Sequence, residues 1–156
     1  QPLAVDRLEM SPDDYDGATA YSRAKRAQVT LAEMWAQCLE ADGISVHAMH
    51  PGWADTPGVA RSLPTFRRIM GPLLRTSEQG ADTLIWLAAA EPGVCVPTGS
   101  FWLDRRTRPI HRLKKTRAAD TPAERAALWT WGETRSGFIL EARRTVFCEI
   151  RRRGVG

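Results

Sequence analysis

Residues 18–57 read ATAYSRAKRAQVTLAEMWAQCLEADGISVHAMHPGWADTP, and the order of patterns in this stretch decides the fold. Apolar residues recur every three or four positions over 18–42, which predicts an amphipathic helix that ends at Gly43. Residues 44–49 are short, partly β-branched and bounded by glycine and proline, and they predict a buried strand. A helix, a tight turn and a strand in this order are typical of a parallel βαβ unit. The buried face of the helix is expected to hold Ala20, Ala24, Ala27, Leu31, Trp35 and Leu39.

The rest of the chain predicts more helices and one more strand. Ser11-Pro12-Asp13-Asp14 predicts a short helical start, and residues 60–74 predict a helical region that prolines interrupt. The capping box Thr76-Ser77-Glu78-Gln79 opens a helix that reaches about residue 90. Residues 99–103 predict the next strand.

The pattern weakens after residue 104. Residues 105–117 predict a basic connector without a regular period. Thr121-Pro122-Ala123-Glu124 combines a capping box with proline at the first helical position, and the helix that it opens is expected to end near Gly132. Neither a helical nor a strand period fits the residues from 135 onward.

The composition is that of an ordinary globular domain. Of 156 residues, 43% are hydrophobic and 26% are charged, which excludes collagen-like and wholly disordered chains. The longest apolar run, 84–90, is far shorter than the roughly 20 residues that span a membrane. Cys38, Cys95 and Cys148 are odd in number and far apart, so we expect no disulfide framework, no metal site and a reducing, cytoplasmic location.

Charge divides the chain into two unlike parts. Residues 1–103 hold eight Lys or Arg against twelve Asp or Glu, whereas residues 104–156 hold fourteen against six. A basic segment raises the alternative of a binding module for nucleic acid or another acidic surface. Its arginines lack the interleaved aromatic residues of single-strand binders, so we expect a solvated basic tail and no nucleic-acid partner.

Tyr21 and Lys25 are the residues with the clearest chemistry. A spacing of four places both on one face of the helix, one turn apart. An ammonium beside a phenol favours the phenolate form, which suits a tyrosine that exchanges a proton as a general acid or base. A surface tyrosine beside a solvated lysine is the structural alternative.

A second candidate is the loop His50-Pro51-Gly52-Trp53-Ala54-Asp55-Thr56-Pro57, which follows the first strand. Open α/β sheets bind ligands at the carboxyl ends of parallel strands. Gly52 allows close backbone approach, and Thr56 supplies a hydroxyl at the start of the next helical segment. A plain strand-to-helix turn is the alternative.

These motifs resemble the short-chain dehydrogenase/reductase superfamily. Its YxxxK motif is matched by Tyr21 and Lys25, and residues 77–88 and 98–104 are similar to its later helix and last strand. The similarity extends over about residues 15–113. Its PGxVxT loop is matched by Pro51, Gly52, Ala54 and Thr56.

The resemblance implies an α/β fold, the C-terminal part of a Rossmann-type doubly wound parallel sheet. Residues 1–113 would form that part, and residues 114–156 a helix plus a basic tail. It also implies an NAD(P)-dependent oxidoreductase that moves hydride between nicotinamide and a small carbonyl or alcohol substrate. Tyr21 would be the general acid/base, and Lys25 would contact the nicotinamide ribose. The nicotinamide amide would be held by Pro51, Gly52, Trp53, Ala54 and Thr56.

The chain also departs from the family pattern. No GxxxGxG turn occurs, so we expect the N-terminal cofactor half to be missing and this chain alone to bind almost no nicotinamide cofactor. Ser11 is the only serine before Tyr21 and has a capping role, so the family's catalytic serine is expected ahead of Gln1. A silent protein of the same fold, kept for binding a partner, is an alternative.

The resemblance has two further implications. The substrate loop would be residues 56–72, and the helix of Tyr21 could pair two subunits. The apolar residues of the substrate loop favour an apolar carbonyl or alcohol, and they are Val59, Leu63, Phe66, Ile69 and Met70.

Overall fold

The computed structural model describes residues 1–62, 64–91, 93–94 and 97–137. Its helices are α1 (Gly17–Leu39), α2 (Pro57–Ser62), α3 (Pro64–Met70), α4 (Ser77–Ala89), α5 (Lys114–Ala118) and α6 (Pro122–Ser136). Its strands are β1 (Ala48–Met49), β2 (Phe101–Leu103) and β3 (Arg106–Thr107). Single 3-10 turns occur at Val5–Arg7, Glu40–Asp42 and Gly71–Leu73.

The three strands form one mixed sheet in the order β1-β2-β3. β1 and β2 are parallel, with Ala48 opposite Phe101, and β2 and β3 are antiparallel, with Trp102 opposite Thr107. The parallel pair with helices α1 and α4 confirms the predicted α/β fold, a part of a Rossmann-type sheet. β3 was not predicted, because a strand of two residues is too short to show alternation.

Helix α1 has the predicted position but a different buried face. Its first turn is capped by Asp16, whose carboxylate accepts a hydrogen bond of 2.7 Å from the Thr19 N–H. It ends through a 3-10 turn at Gly43, whose φ of 73° is left-handed. The expected burial of Ala24 and Trp35 was wrong, because both are exposed. The buried residues are Ala27, Thr30, Met34, Ala36 and Cys38.

The burial pattern of α1 has a physical explanation. Alanine is a strong helix former at exposed positions as well as buried ones, so an alanine stripe does not mark a core face. Thr30 lies in the core with 0% of its surface exposed, and its hydroxyl hides it from a hydropathy pattern.

The first strand is shorter than residues 44–49 because side-chain hydrogen bonding replaces part of the ladder. The Val46 N–H donates to Thr98 Oγ1 at 2.9 Å, and the Gly99 N–H donates to the Val46 carbonyl at 2.8 Å. Regular pairing then begins at Ala48, whose N–H donates to the Ser100 carbonyl. The second predicted strand likewise begins two residues late, at Phe101.

The remaining helical predictions fared unequally. The capping box at Thr76 is confirmed, with Gln79 as its reciprocal partner, and the proline-broken region is α2, α3 and a 3-10 turn. Residues 11–14 form a turn closed by Ser11 and Asp14 instead of a helix. Helix α5 contains residues 114–117, the last four of the predicted connector over 105–117.

Helix α6 differs from its prediction at both ends. It continues past Gly132 to Ser136 and ends with Gly137 at a φ of 67°. Its start has half of the expected capping box. Thr121 accepts from the Glu124 N–H, but the Glu124 carboxylate accepts a 3.0 Å hydrogen bond from the Val5 N–H.

The core includes the N-terminal segment, α1 and α6. Leu128 of α6 is fully buried and packs with Leu3 and Ala27. Helix α6, which follows the predicted boundary at residue 113, therefore shares a hydrophobic cluster with residues before it. Cys95, Cys148 and the predicted basic tail over 138–156 lie outside the described residues.

Candidate functional site

The candidate residues lie on two consecutive elements, Tyr21 and Lys25 in helix α1 and residues 50–56 after strand β1. Helix α1 packs against β1 and turns into it at Gly43. Tyr21 lies about 27 Å back along the helix from its last residue. A fully extended chain from the turn to His50 would span at most about 23 Å. These two lengths would bring the start of α1 and the loop after β1 to similar heights.

Tyr21 and Lys25 meet as the helical spacing predicts. The Lys25 Nζ lies 5.6 Å from the centroid of the Tyr21 ring, and it donates a 3.0 Å hydrogen bond to Gln28 Oε1. Tyr21 is 64% exposed, so a ligand can reach its hydroxyl. The pair thus presents a hydroxyl and an ammonium on one exposed face of α1.

The loop after β1 turns sharply at Gly52. The φ of Gly52 is 76°, in the left-handed region, and its N–H donates a 2.9 Å hydrogen bond to Nδ1 of His50. His50 therefore has a role inside the turn. Pro51 and Trp53 are exposed and Ala54 is buried. The loop thus exposes its proline and tryptophan, while Gly52 is half-buried and Ala54 is buried.

Thr56 caps the helix that follows the loop. Its Oγ1 accepts a 3.3 Å hydrogen bond from the Val59 N–H, and its carbonyl accepts from the Ala60 N–H. The hydroxyl still has its own proton to donate. Thr56 can therefore serve helix α2 and a ligand acceptor at the same time.

Arg75 supports the loop and was missed by the sequence analysis. Its N–H donates to the Trp53 carbonyl, and its carbonyl accepts from the Asp55 N–H, both at 2.8 Å. These two bonds make a parallel bridge between Ala54 and Arg75. No local pattern marks such a bridge, because its partners are about twenty residues apart in different loops.

Helix α4 packs against the loop. A Cβ at Gly80, in its first turns, would lie 3.1 Å from the Ala54 Cβ and 3.6 Å from the Pro51 Cβ. Gly80 therefore allows the helix and the loop to approach closely.

An ion pair joins the loop to helix α3. Arg67 binds Asp55 with both ends of its guanidinium, at 2.6 and 2.9 Å. The Arg67 hydrogen bonds hold the pKa of the Asp55 carboxyl below its ordinary value. Ile69, in the same helix, is 70% exposed, while Leu63 and the side chain of Phe66 lie outside the described residues.

The described residues also bear on metal binding and on membrane insertion. In the described part of the chain, no group of three or more His, Cys, Asp or Glu residues is arranged to hold a metal ion. Within residues 1–62, 64–91, 93–94 and 97–137, no helix has both the length and the apolar character needed to cross a membrane.

Known proteins are similar to this chain in sequence. The chain is 42% identical over 128 residues to dehydrogenase/reductase SDR family member 12 of Bos taurus and 41% identical to the protein of that name from Homo sapiens. The chain belongs to the short-chain dehydrogenase/reductase superfamily. Retinol dehydrogenase 12 of Homo sapiens, another relative, is 29% identical over 109 residues.

The short-chain dehydrogenase/reductase match is partial in length. The alignment with the Bos taurus relative covers 82% of this chain but 39% of that relative, and retinol dehydrogenase 12 is covered over 34% of its length by 68% of this chain. No family model matches the chain. No solved structure matches it.

Proposed function

We propose that the chain supplies the proton-transfer side of an NAD(P)-dependent oxidoreductase, with Tyr21 as general acid/base and Lys25 as its assistant. The observation that carries this proposal is the accessible Tyr21–Lys25 pair on α1, the helix that leads into the strand before the left-handed turn at Gly52. Superfamily membership supports the oxidoreductase class.

The bound nicotinamide would supply or accept the hydride. In the reductive direction, Tyr21 gives its hydroxyl proton to the substrate oxygen as the carbonyl carbon receives the hydride, and the product is an alcohol. In the oxidative direction, the Tyr21 phenolate accepts the proton of the alcohol. Lys25 stabilises the phenolate in both cases and would donate hydrogen bonds to the nicotinamide ribose.

The loop residues fit a role in holding the carboxamide of nicotinamide. The loop turns at Gly52 with a left-handed backbone that favours glycine, and the Thr56 hydroxyl can donate to a ligand acceptor. Trp53 is 56% exposed and would border the ring. The adenosine half of the cofactor would be held by residues that correspond to the part of the relatives outside the alignment with this chain.

An apolar carbonyl or alcohol is the proposed substrate class. Ile69 and Leu73, in the segment after the loop, are 70% and 75% exposed. Retinol dehydrogenase 12 is named for an apolar alcohol, which supports the same class. We place the enzyme in the cytoplasm, and pairing of two copies through α1 stays a prediction.

Lys25→Met tests this proposal in a complete enzyme, meaning the chain preceded by the N-terminal part of the human SDR family member 12 relative. We expect NADPH-dependent reduction of an apolar aldehyde, with cofactor affinity and turnover each at least tenfold lower in Lys25→Met. Lys115→Met, which removes an exposed lysine of α5, is the matched control and should leave both constants unchanged. Equal activity of the two variants would contradict the role of Lys25.

The chain alone provides a second test. Because the chain has no GxxxGxG turn, it should show no saturable NADPH binding at micromolar concentrations in a calorimetric titration. Micromolar binding that Lys25→Met abolishes would contradict the interpretation that the cofactor needs another half-domain.

A further inference from the structure

The turn between β2 and β3 has an unusual backbone. Asp104 and Arg105 form a two-residue connection, and both have a φ of 55°. Such turns favour Asn-Gly or Asp-Gly, because side chains other than glycine are strained at positive φ. An arginine at the second position is not explained by the preferences of the turn. Strained residues of this kind persist where surrounding contacts hold them.

Both side chains of the turn are anchored to elements around the candidate site. Arg105 makes two hydrogen bonds to the Asp82 carboxylate, and its N–H donates to Thr83 Oγ1 at 3.3 Å, so it binds helix α4. Asp104 accepts two hydrogen bonds from Arg75, one of them at 2.9 Å. The turn therefore connects α4 to the residue that pairs with the loop.

The guanidinium of Arg75 lies against Gly52 of the loop. Its Nη1, Cζ and Nε atoms are 2.8 to 2.9 Å from the point where a Cβ at Gly52 would be. Its backbone already pairs with Trp53 and Asp55. The loop is thus held along its backbone and supported at its tightest point by one residue, whose guanidinium is fixed by Asp104.

We propose that Arg75 and Asp104 are positioning residues, which hold the backbone at Gly52 and Trp53 in the conformation that receives the carboxamide of nicotinamide. This inference rests on the proposed function for its ligand, but the clamp itself is a property of the chain. Arg75 and Asp104 are 36% and 46% exposed, and exposed ion pairs add little to global stability. The effect of breaking the pair should therefore appear in the loop and in cofactor affinity.

The clamp is expected to persist over the working range of pH. The hydrogen bonds from Arg75, opposed by slight desolvation, hold the pKa of Asp104 below its ordinary value of 3.8. Arg106 and Arg108 also face this carboxylate and lower its pKa further. Because its pKa is lowered, the Asp104 carboxylate keeps its charge more readily than a free aspartate does.

Amide hydrogen exchange on the chain itself tests the clamp. In Arg75→Gln, the Asp55 and Arg75 amides should exchange at least tenfold faster than in the unchanged chain, with the urea midpoint nearly constant. Asp104→Asn, which keeps a residue tolerant of positive φ, should reproduce this result and shows that misfolding is not its cause. Arg135→Gln is the matched control, because Arg135 also binds a carboxylate, Glu9, with both ends of its guanidinium. Unchanged exchange in both loop variants would overturn the proposal.

Kinetics of the complete enzyme test the link to the cofactor. Arg75→Gln should raise the KM for NADPH about tenfold and change kcat less, and Arg75→Lys should recover part of the loss because it keeps the charge. An active enzyme whose KM is unaffected by Arg75→Gln would overturn the positioning role and leave the proposed function intact. An enzyme with no NADPH-dependent activity would contradict the proposed function, while hydrogen exchange would still decide the clamp.

Discussion

Arginine–carboxylate pairs hold two regions of this molecule, and water reaches the two to very different extents. Around the loop of Gly52, Asp104 is 46% exposed and Asp55 is 40% exposed. Between α1 and α6, Asp120 is 3% exposed and binds Arg125 at 2.6 Å. Arginine–carboxylate pairs thus occur both in a solvent-exposed site and in a largely buried one.

The largely buried region is a network of four side chains, here called the helix network: Glu33, His111, Asp120 and Arg125. Arg125 bridges Asp120 and, at 2.7 Å, Glu33 of α1, and His111 Nε2 lies 2.8 Å from Asp120. It joins α1, the segment before α5 and the start of α6. The network therefore fastens the helical layer, whereas the exposed pairs fasten one loop.

The solvent exposure of each ion pair determines whether it contributes mainly to stability or to local geometry. Water screens an exposed pair, so breaking it costs little free energy of unfolding but releases local geometry. Removing one member of a buried pair leaves the other charge without compensation in a poorly solvated place. We therefore expect stability to depend on the helix network and cofactor affinity to depend on the loop pairs.

Asp120→Ala should have the largest effect on stability. Loss of this carboxylate leaves Arg125 and His111 without their shared acceptor, and we expect the free energy of unfolding to fall by about 3 kcal/mol. Urea unfolding followed by tryptophan fluorescence measures it. Asp104→Asn, which tolerates the positive φ at this position, is the control at the loop and should lower the free energy of unfolding much less. Equal losses in the two variants would remove the contrast between the regions.

Asp120 of the helix network should make the free energy of unfolding fall as the pH is lowered. Burial opposes ionisation of Asp120, but hydrogen bonds and charge from Arg125, with help from His111, outweigh it and lower its pKa. A carboxyl whose folded pKa is depressed stabilises the fold above the unfolded value of about 3.9, and this contribution is lost as pH falls toward the folded value.

Unfolding free energies between pH 6 and pH 3 test this sign. The unchanged chain should lose stability below about pH 4, and Asp120→Asn should show a shallower slope because it lacks the depressed carboxyl. Asp104→Asn serves as the comparison at the loop. A slope that Asp120→Asn leaves unaltered would show that other carboxylates carry the acid sensitivity.

Two glycines give the smallest contrast. Gly132, inside α6, has no atom within 4 Å of its ideal Cβ position, so Gly132→Ala should stabilise the chain by about 0.5–1 kcal/mol through helix propensity. Gly80→Ala should lose that gain, because its Cβ would lie 3.1 Å from Ala54 in a loop that Arg75 holds. Thermal unfolding of the two variants compares them. A similar gain at both sites would mean that the loop yields easily.

The sequence predicts best what depends on near neighbours. Gly43 ends α1 and Thr76 begins α4 because a left-handed turn and a capping box are local devices. Tyr21 and Lys25 meet because helical geometry alone brings them together. The sequence therefore predicts the parallel unit and the proton-transfer pair.

The parts that were missed depend on distant partners. Arg75 and Asp104 are 29 positions apart and Glu33 and Arg125 are 92 apart, so no periodicity relates them. Thr30 is polar by type and fully buried by packing. The support of the candidate loop therefore became visible in the folded chain, whereas the loop itself was visible in the sequence.

Substitution of Tyr21 by phenylalanine removes the hydroxyl that is proposed to donate the proton. The chain has two tyrosines, Tyr15 and Tyr21, which are 67% and 64% exposed, so Tyr15→Phe is a matched control for Tyr21→Phe. The measurement is the rate of aldehyde reduction by the complete enzyme at saturating NADPH, with cofactor affinity determined in parallel. Loss of the proton donor should lower the rate of Tyr21→Phe by about 10²–10⁴-fold, with near-normal NADPH affinity and an unchanged Tyr15→Phe rate. A Tyr21→Phe enzyme as fast as Tyr15→Phe would contradict the assignment of Tyr21 as the general acid.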